Sequence, residues 1–197
     1  VICQNKALVF NWNLPSISQD EVLEYLKHRK GFIDGVVITG GEPTIHSRLP
    51  KLLGRIKSLG LTIKLDTNGY TSKMLREILA QNLVDYIAMD IKTSMAKYKQ
   101  AVGKEINPER LLESISLIKS STIDSEFRTT CVPYLVEEED IKQIARLLEG
   151  AKHYTLQQFR DGDTLDPFYK NVPPYPQEKL VKFQHLAQKY IGSVRLK

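Results

Sequence analysis

The chain has 197 residues, a length that fits one domain with a substantial core. Its 42% hydrophobic and 26% charged residues are the proportions of an ordinary globular protein, and no apolar run approaches the roughly 20 residues of a membrane helix. The net charge of +5 comes from lysines spread along the chain, which does not make a nucleic-acid footprint, and two cysteines make neither a disulfide framework nor a complete metal site. The start, Val-Ile-Cys-Gln-Asn, lacks the sections of a signal peptide, so the cytoplasm is the expected compartment. Val1 in place of a methionine is the expected mark of a fragment.

After Cys3, residues 4–17 read as irregular, with Trp12 and Pro15 among asparagines. Ser18 and Glu21 have capping-box spacing and open a helix to about residue 30, with Val22, Leu23 and Leu26 on its buried face. A strand at 35–41 follows, then a helix over 49–59 closed by Gly60. A strand over 62–69, a helix over 71–81 and a strand over 86–92 come next. Asn107 and Pro108 open a helix carrying Leu111, Leu112, Ile115 and Ile118. The strand over 126–132 stops at Pro133, a charged helix spans 138–149, and a strand spans 153–159. Residues 161–176, rich in Asp, Pro and Tyr, read as a long loop, a lid or a docking surface. A helix over 177–190 and a strand over 193–196 end a single domain, 1–197, of βα repeats with a parallel sheet.

The organising stretch is Val36-Val37-Ile38-Thr39-Gly40-Gly41-Glu42-Pro43-Thr44. Three β-branched residues predict a strand buried on both faces, and two glycines end it where parallel α/β folds collect ligands. Without a Cβ, the glycines let a ligand lie against the backbone, and Glu42 adds a charge suited to a cationic group. Strand alternation puts Ile63, Leu65, Thr67, Ile87, Met89, Ile91, Phe127, Thr129 and Cys131 under helices. The opposite surface then carries Glu42, Lys64, Asp66, Asp90, Lys92 and Arg128. Buried ion pairs alone would account for such a set, but so many charges are costly to desolvate without a polar ligand. Cys131 reads as a packed thiol; His28 and His185 read as solvated on helices, His46 and His153 show no partner, and all four histidines read as structural.

Gly40-Gly41-Glu42-Pro43, Asp66-Thr67-Asn68-Gly69 and Met89-Asp90-Ile91-Lys92, in that order, resemble the radical S-adenosylmethionine (SAM) superfamily. The likeness is to activating enzymes of glycyl-radical enzymes, above all the anaerobic ribonucleoside-triphosphate reductase activating proteins, with pyruvate formate-lyase activating enzymes further off. Glu126-Phe127-Arg128-Thr129-Thr130 and the segment from Tyr154 to Arg160 extend it over most of the chain.

The resemblance implies an α/β fold: a partial (β/α)6 TIM-like barrel, open on one side, with its first strand and cluster loop largely missing here. It implies a 4Fe–4S cluster on three cysteines, of which only Cys3 is present, and SAM as the second cofactor. It implies reductive SAM cleavage that installs a glycyl radical on a partner enzyme, with flavodoxin or ferredoxin as reductant and neither nucleic acid nor membrane involved. With one cluster cysteine, the chain as written is expected to be inactive. Carried over by motif, Gly40, Gly41 and Glu42, with Pro43 at the same turn, receive the methionine ammonium. Asp66, Thr67 and Asn68 hold polar groups of SAM or order a cation near its carboxylate. Lys92, beside Asp90, and Arg128 face that carboxylate. Gln157 or Gln158, with Phe159, reach the adenosine; alternation alone does not decide between the glutamines. Two other readings compete: a barrel binding a hard cation through Glu42, Asp66 and Asp90, and a non-catalytic barrel serving as a binding module.

Overall fold

The computed structural model describes residues 13–160 and 164–197. Cys3 and the start of the expected irregular stretch lie outside them. Among the described residues the capping box forms as the spacing predicts: Ser18 Oγ accepts the Glu21 N–H at 3.1 Å and Glu21 Oε2 accepts the Ser18 N–H at 3.0 Å. The helix it opens, α1 (Gln19–Arg29), buries Leu23 and Leu26, but Val22 stays 38% exposed, off the narrow buried stripe.

Strands and helices then alternate: β1 (Gly35–Ile38), α2 (Leu49–Lys57), β2 (Thr62–Thr67), α3 (Ser72–Ala80), β3 (Tyr86–Asp90), α4 (Tyr98–Val102), α5 (Pro108–Ser120), β4 (Asp124–Cys131), α6 (Glu138–Leu147), β5 (Tyr154–Gln158), α7 (Gln177–Ala187) and β6 (Val194–Leu196). The strands form a six-stranded parallel sheet in chain order, a linear order with β1 and β6 at its ends. This is the expected α/β repeat architecture. Between β3 and α5 the structure adds a 3-10 turn (Met95–Lys97) and the short α4, which sequence periodicity did not reveal. Residues 164–176 are anchored rather than loose: Tyr169 and Thr164 are buried, and a 3-10 turn (Pro167–Tyr169) interrupts them.

The chain divides into two compact units, each with its own core. In the N-terminal unit, described over 13–88 and 110–124, Leu53 and Ile56 of α2, Leu75 and Ile78 of α3 and Ile115 and Ile118 of α5 bury against Ile63, Leu65 and Ile87. Leu112, expected on the buried face of α5, is 40% exposed. In the C-terminal unit, described over 89–109, 125–160 and 164–197, Phe127, Cys131, Tyr154 and Leu156 pack with Ile141, Ile144 and Phe183. The predicted alternation holds on β2, β3 and β4: the named apolar residues are buried, and Lys64, Asp66, Asp90 and Arg128 are not fully so.

The expectation for β1 fails. Val37 is 55% exposed, and Val36 and Ile38 are only half-buried. Val37 pairs with Lys64 in the register and so lies on the polar face of the strand pair. A run of β-branched residues reports strand preference, not burial of both faces.

Candidate functional site

The turn after β1 is built around one carboxylate. Gly40 has φ +119, a backbone state that glycine adopts without strain, and a Cβ at Gly41 would meet nothing within 4 Å. Glu42 then caps the 3-10 turn (Pro43–Ile45). Its Oε1 accepts the Thr44 N–H at 3.2 Å, the Thr44 hydroxyl at 2.6 Å and the Thr67 hydroxyl at 2.7 Å. Its Oε2 accepts the Asn68 N–H at 2.7 Å. Four neutral donors thus converge on Glu42, two from its own turn and two from the end of β2. The carboxylate that sequence reasoning turned toward a ligand also clamps two loops together. Pro43 is buried as the first residue of that turn.

The Asp66-Thr67-Asn68-Gly69 turn is held from three sides. Thr67 Oγ1 accepts the Gly69 N–H at 3.0 Å, and Asn68 Oδ1 accepts the Tyr70 N–H at 2.9 Å. The Ser114 hydroxyl donates to the Gly69 carbonyl at 2.6 Å. Ser114 is fully buried on the apolar stripe of α5, and a serine among Leu111, Ile115 and Ile118 was the signal that sequence reasoning passed over. The Asn68 side chain is therefore engaged in shaping its turn. Asp66 lies beside Thr39, whose hydroxyl donates to Oδ2 at 3.3 Å, and beside Lys64 at 3.7 Å. Lys64 also sits over the Tyr86 ring, 5.2 Å from its centroid.

The C-terminal unit assembles its charges differently. Asp90, the last residue of β3, accepts Lys92 Nζ at 2.9 Å on Oδ2 and Arg128 Nε at 2.9 Å on Oδ1. Burial pushes the Asp90 carboxyl up, but the Lys92 and Arg128 cations outweigh it and hold the group below the ordinary aspartate range. The Tyr98 hydroxyl accepts the Lys92 N–H at 3.4 Å. Burial, reinforced by the Asp90 charge, pushes the Tyr98 phenol up to about 12. Tyr98 belongs to the helix that the sequence did not show.

On β5 the register settles which glutamine faces which way. Thr155 pairs with Arg128 and Gln157 with Thr130, so Gln157 shares the Arg128 face. Gln158 pairs with Cys131 on the opposite face, and its amide donates to the Tyr175 carbonyl at 2.7 Å. Phe159 is buried at the strand's end. Glu42, Asp66, Asn68, Asp90, Gln157, Gln158 and Phe159 each lie at the C-terminal end of a strand or in the turn just after it, where ligands gather in parallel α/β sheets.

Cys131 is fully buried and its thiol is pushed up to about 12 by burial, as expected of a packed thiol. No group of three or more His, Cys, Asp or Glu among the described residues is placed to hold a metal ion, so the hard-cation reading of Glu42, Asp66 and Asp90 loses its ligand set. His153, for which the sequence showed no partner, has one: its Nδ1 lies 2.9 Å from the Ser193 hydroxyl. No described helix is long and apolar enough to cross a membrane.

The chain is similar to known proteins in sequence and in fold. Residues 1–148 match the family model of the radical SAM superfamily. A Methanocaldococcus jannaschii protein, assigned by name to the glycyl-radical enzyme activating enzymes, is 36% identical over 169 residues, spanning 83% of this chain and 70% of that protein. Among solved structures, a domain of pyruvate-formate lyase-activating enzyme from Bacteroides vulgatus superimposes with TM-score 0.67 at 17% identity, covering 83% of this chain and 98% of that one. Streptococcus suis SuiB bound to S-adenosylmethionine superimposes with TM-score 0.71 at 15% identity, covering 94% of this chain and 45% of that one.

Proposed function

We propose, from the premise that this chain belongs to the radical SAM superfamily, that it binds S-adenosylmethionine and serves to install a glycyl radical on a partner enzyme. The motif order favours the anaerobic ribonucleoside-triphosphate reductase as that partner. The observation that carries the reading is the charge at the strand ends of the N-terminal unit, where Glu42 and Asp66 with Lys64 sum to −1 at the turn that Gly40 and Gly41 open. The ammonium at the methionyl end of SAM suits that set. Within the C-terminal unit, Asp90 with Lys92 and Arg128 sums to +1, a set suited to a carboxylate.

The residues fit that ligand. A Cβ at Gly41 would meet nothing within 4 Å, which leaves room for the ammonium against the backbone of that turn while Glu42 supplies the negative field. Glu42 Oε2 accepts the Asn68 N–H, against three donors on Oε1, and keeps acceptor capacity for that ammonium. Arg128 is held by its Nε on Asp90, which fixes the plane of its guanidinium for a forked grip on the carboxylate. Gln157, rather than Gln158, is the β5 residue for the adenosine, with Phe159 beside it. In this superfamily an iron–sulfur cluster, when bound, supplies the electron that cleaves SAM. Among the described residues the one cysteine is the packed Cys131, which does not fit a cluster, and Cys3 lies outside them.

The test is anaerobic reconstitution of the full-length protein, followed by reduction with SAM and the reductase. The expected products are 5′-deoxyadenosine and a glycyl-radical signal in the electron paramagnetic resonance spectrum of the reductase. An intact cluster that yields no 5′-deoxyadenosine would reject the enzyme reading and leave the binding-module alternative. Cleavage with no radical on the reductase would reject that partner alone.

A further inference from the structure

We propose that Tyr134, paired with Phe168, is a docking anchor for the protein substrate; this rests on the activating-enzyme reading above. Tyr134 follows Pro133, three residues past the end of β4, in a turn closed by the Leu135 N–H donating to the Val132 carbonyl at 3.2 Å. Its φ is +69, at the turn position where a positive φ favours glycine. A bulky residue held there is strained, and such strain persists only where surrounding structure enforces it.

The enforcing groups are visible. The Tyr134 N–H donates to the Tyr175 hydroxyl at 3.2 Å, and that hydroxyl donates in turn to Glu137 Oε1. Glu137 Oε2 takes Lys179 Nζ at 2.7 Å, and the same ammonium sits 3.8 Å from the Tyr175 ring centroid. Three segments of the C-terminal unit therefore fix the backbone of one residue: the turn after β4, residues 164–176, and α7.

Among the described residues the ring held this way buries little surface. Tyr134 is 62% exposed, and its aromatic neighbour among those residues is Phe168, edge-on at 5.9 Å and itself 62% exposed. A glycine would relieve the strain without opening a hole in the core. Two rigid rings that keep most of their surface in water give a small ligand little enclosure. A protein laid over them removes both from water at once, and tyrosine and phenylalanine held in fixed geometry are the anchors protein interfaces use. The relative that shares 36% identity is named for activating an enzyme, and the rings stand past the strand that carries Arg128. Both point to the enzyme being activated as the occupant.

The test compares Tyr134→Gly and Phe168→Ala with the unaltered full-length protein. Affinity is measured by biolayer interferometry for purified anaerobic ribonucleoside-triphosphate reductase and, separately, pyruvate formate-lyase, and thermal midpoints are recorded alongside. The unaltered protein is expected to bind one of the two. Tyr134→Gly should weaken that binding at least fivefold while its thermal midpoint stays level or rises, and Phe168→Ala should weaken it at least twofold. A smaller loss in Tyr134→Gly, or a loss accompanied by a lower midpoint, overturns the docking role and leaves the functional reading standing. An unaltered protein that binds neither enzyme overturns both.

Discussion

The two units hold their strand-end carboxylates by opposite means. Glu42 in the N-terminal unit is satisfied by four neutral donors, each an N–H or hydroxyl from the two loops it joins. Asp90 in the C-terminal unit is satisfied by two cations on side chains that flank it. The first arrangement fixes backbone: remove the carboxylate and two loops lose their common point. The second fixes charge: remove the carboxylate and two cations lose their counter-ion while the strands keep their ladder. The same residue chemistry thus does structural work in one unit and electrostatic work in the other.

The largest expected effect breaks the first arrangement. Glu42→Ala strands four donors, three of them on buried threonines, and should destabilise the protein by about 3 kcal/mol in urea unfolding. Glu42→Gln keeps an oxygen for the three donors on one side and turns an amide against the Asn68 N–H on the other. Its cost should be roughly half as large. Equal costs for the two variants would mean that the carboxylate is not the joint described.

Asp90→Asn breaks the second arrangement and should cost about 2 kcal/mol near neutral pH, less than a buried pair because the group is partly solvated. Its pH dependence is the sharper test. The folded-state pKa of Asp90 lies below the ordinary value of 3.8, so the carboxylate stabilises the fold above that pH. The contribution is lost as pH falls through the lowered folded-state pKa. The stability gap between the original protein and Asp90→Asn should therefore be full at pH 6 and close toward pH 2. A gap that persists at pH 2 would show that the loss is steric, not electrostatic.

This contrast also marks what the sequence could disclose. Period-two alternation separated Lys64 and Asp66 from the buried face of β2, and Asp90 and Arg128 from those of β3 and β4, because that signal is local to each strand. The Ser18 box and the Pro108 start were legible for the same reason. Glu42's role was not, since two of its donors, Thr67 and Asn68, arrive from another strand 25 and 26 residues later. The choice between Gln157 and Gln158 needed the β4–β5 register, and Val37 needed the sheet order. Residues 98–102 bury little beyond Tyr98 and Ala101, too few positions to set up a helical period. Pro133-Tyr134 carries no sequence sign of a positive φ, because the conformation is imposed by Tyr175 from a distant segment.

A middle-sized effect sharpens the electrostatic half. Arg128→Lys keeps the charge but loses the planar fork, and a lysine in its place has to choose between Asp90 and a ligand carboxylate. On the proposed function, SAM affinity measured by calorimetry should fall roughly tenfold, about 1.4 kcal/mol. Unchanged affinity would remove Arg128 from the binding set while leaving its pairing with Asp90 intact.

The smallest effect separates backbone from charge within the C-terminal unit itself. Tyr98→Phe removes only the hydroxyl that accepts the Lys92 N–H, a hydrogen bond of 3.4 Å near the limit of useful geometry. The loss should be about 0.5 kcal/mol. Unlike the Asp90 effect, it should be the same at pH 6 and pH 3, because the phenol, pushed up to about 12, is neutral at both. If the cost of Tyr98→Phe instead shrank with falling pH in step with that of Asp90→Asn, the hydroxyl would be acting through the carboxylate. Tyr98 would then belong to the charge cluster, and the division between a backbone-fixing and a charge-fixing carboxylate would need a third member that does both.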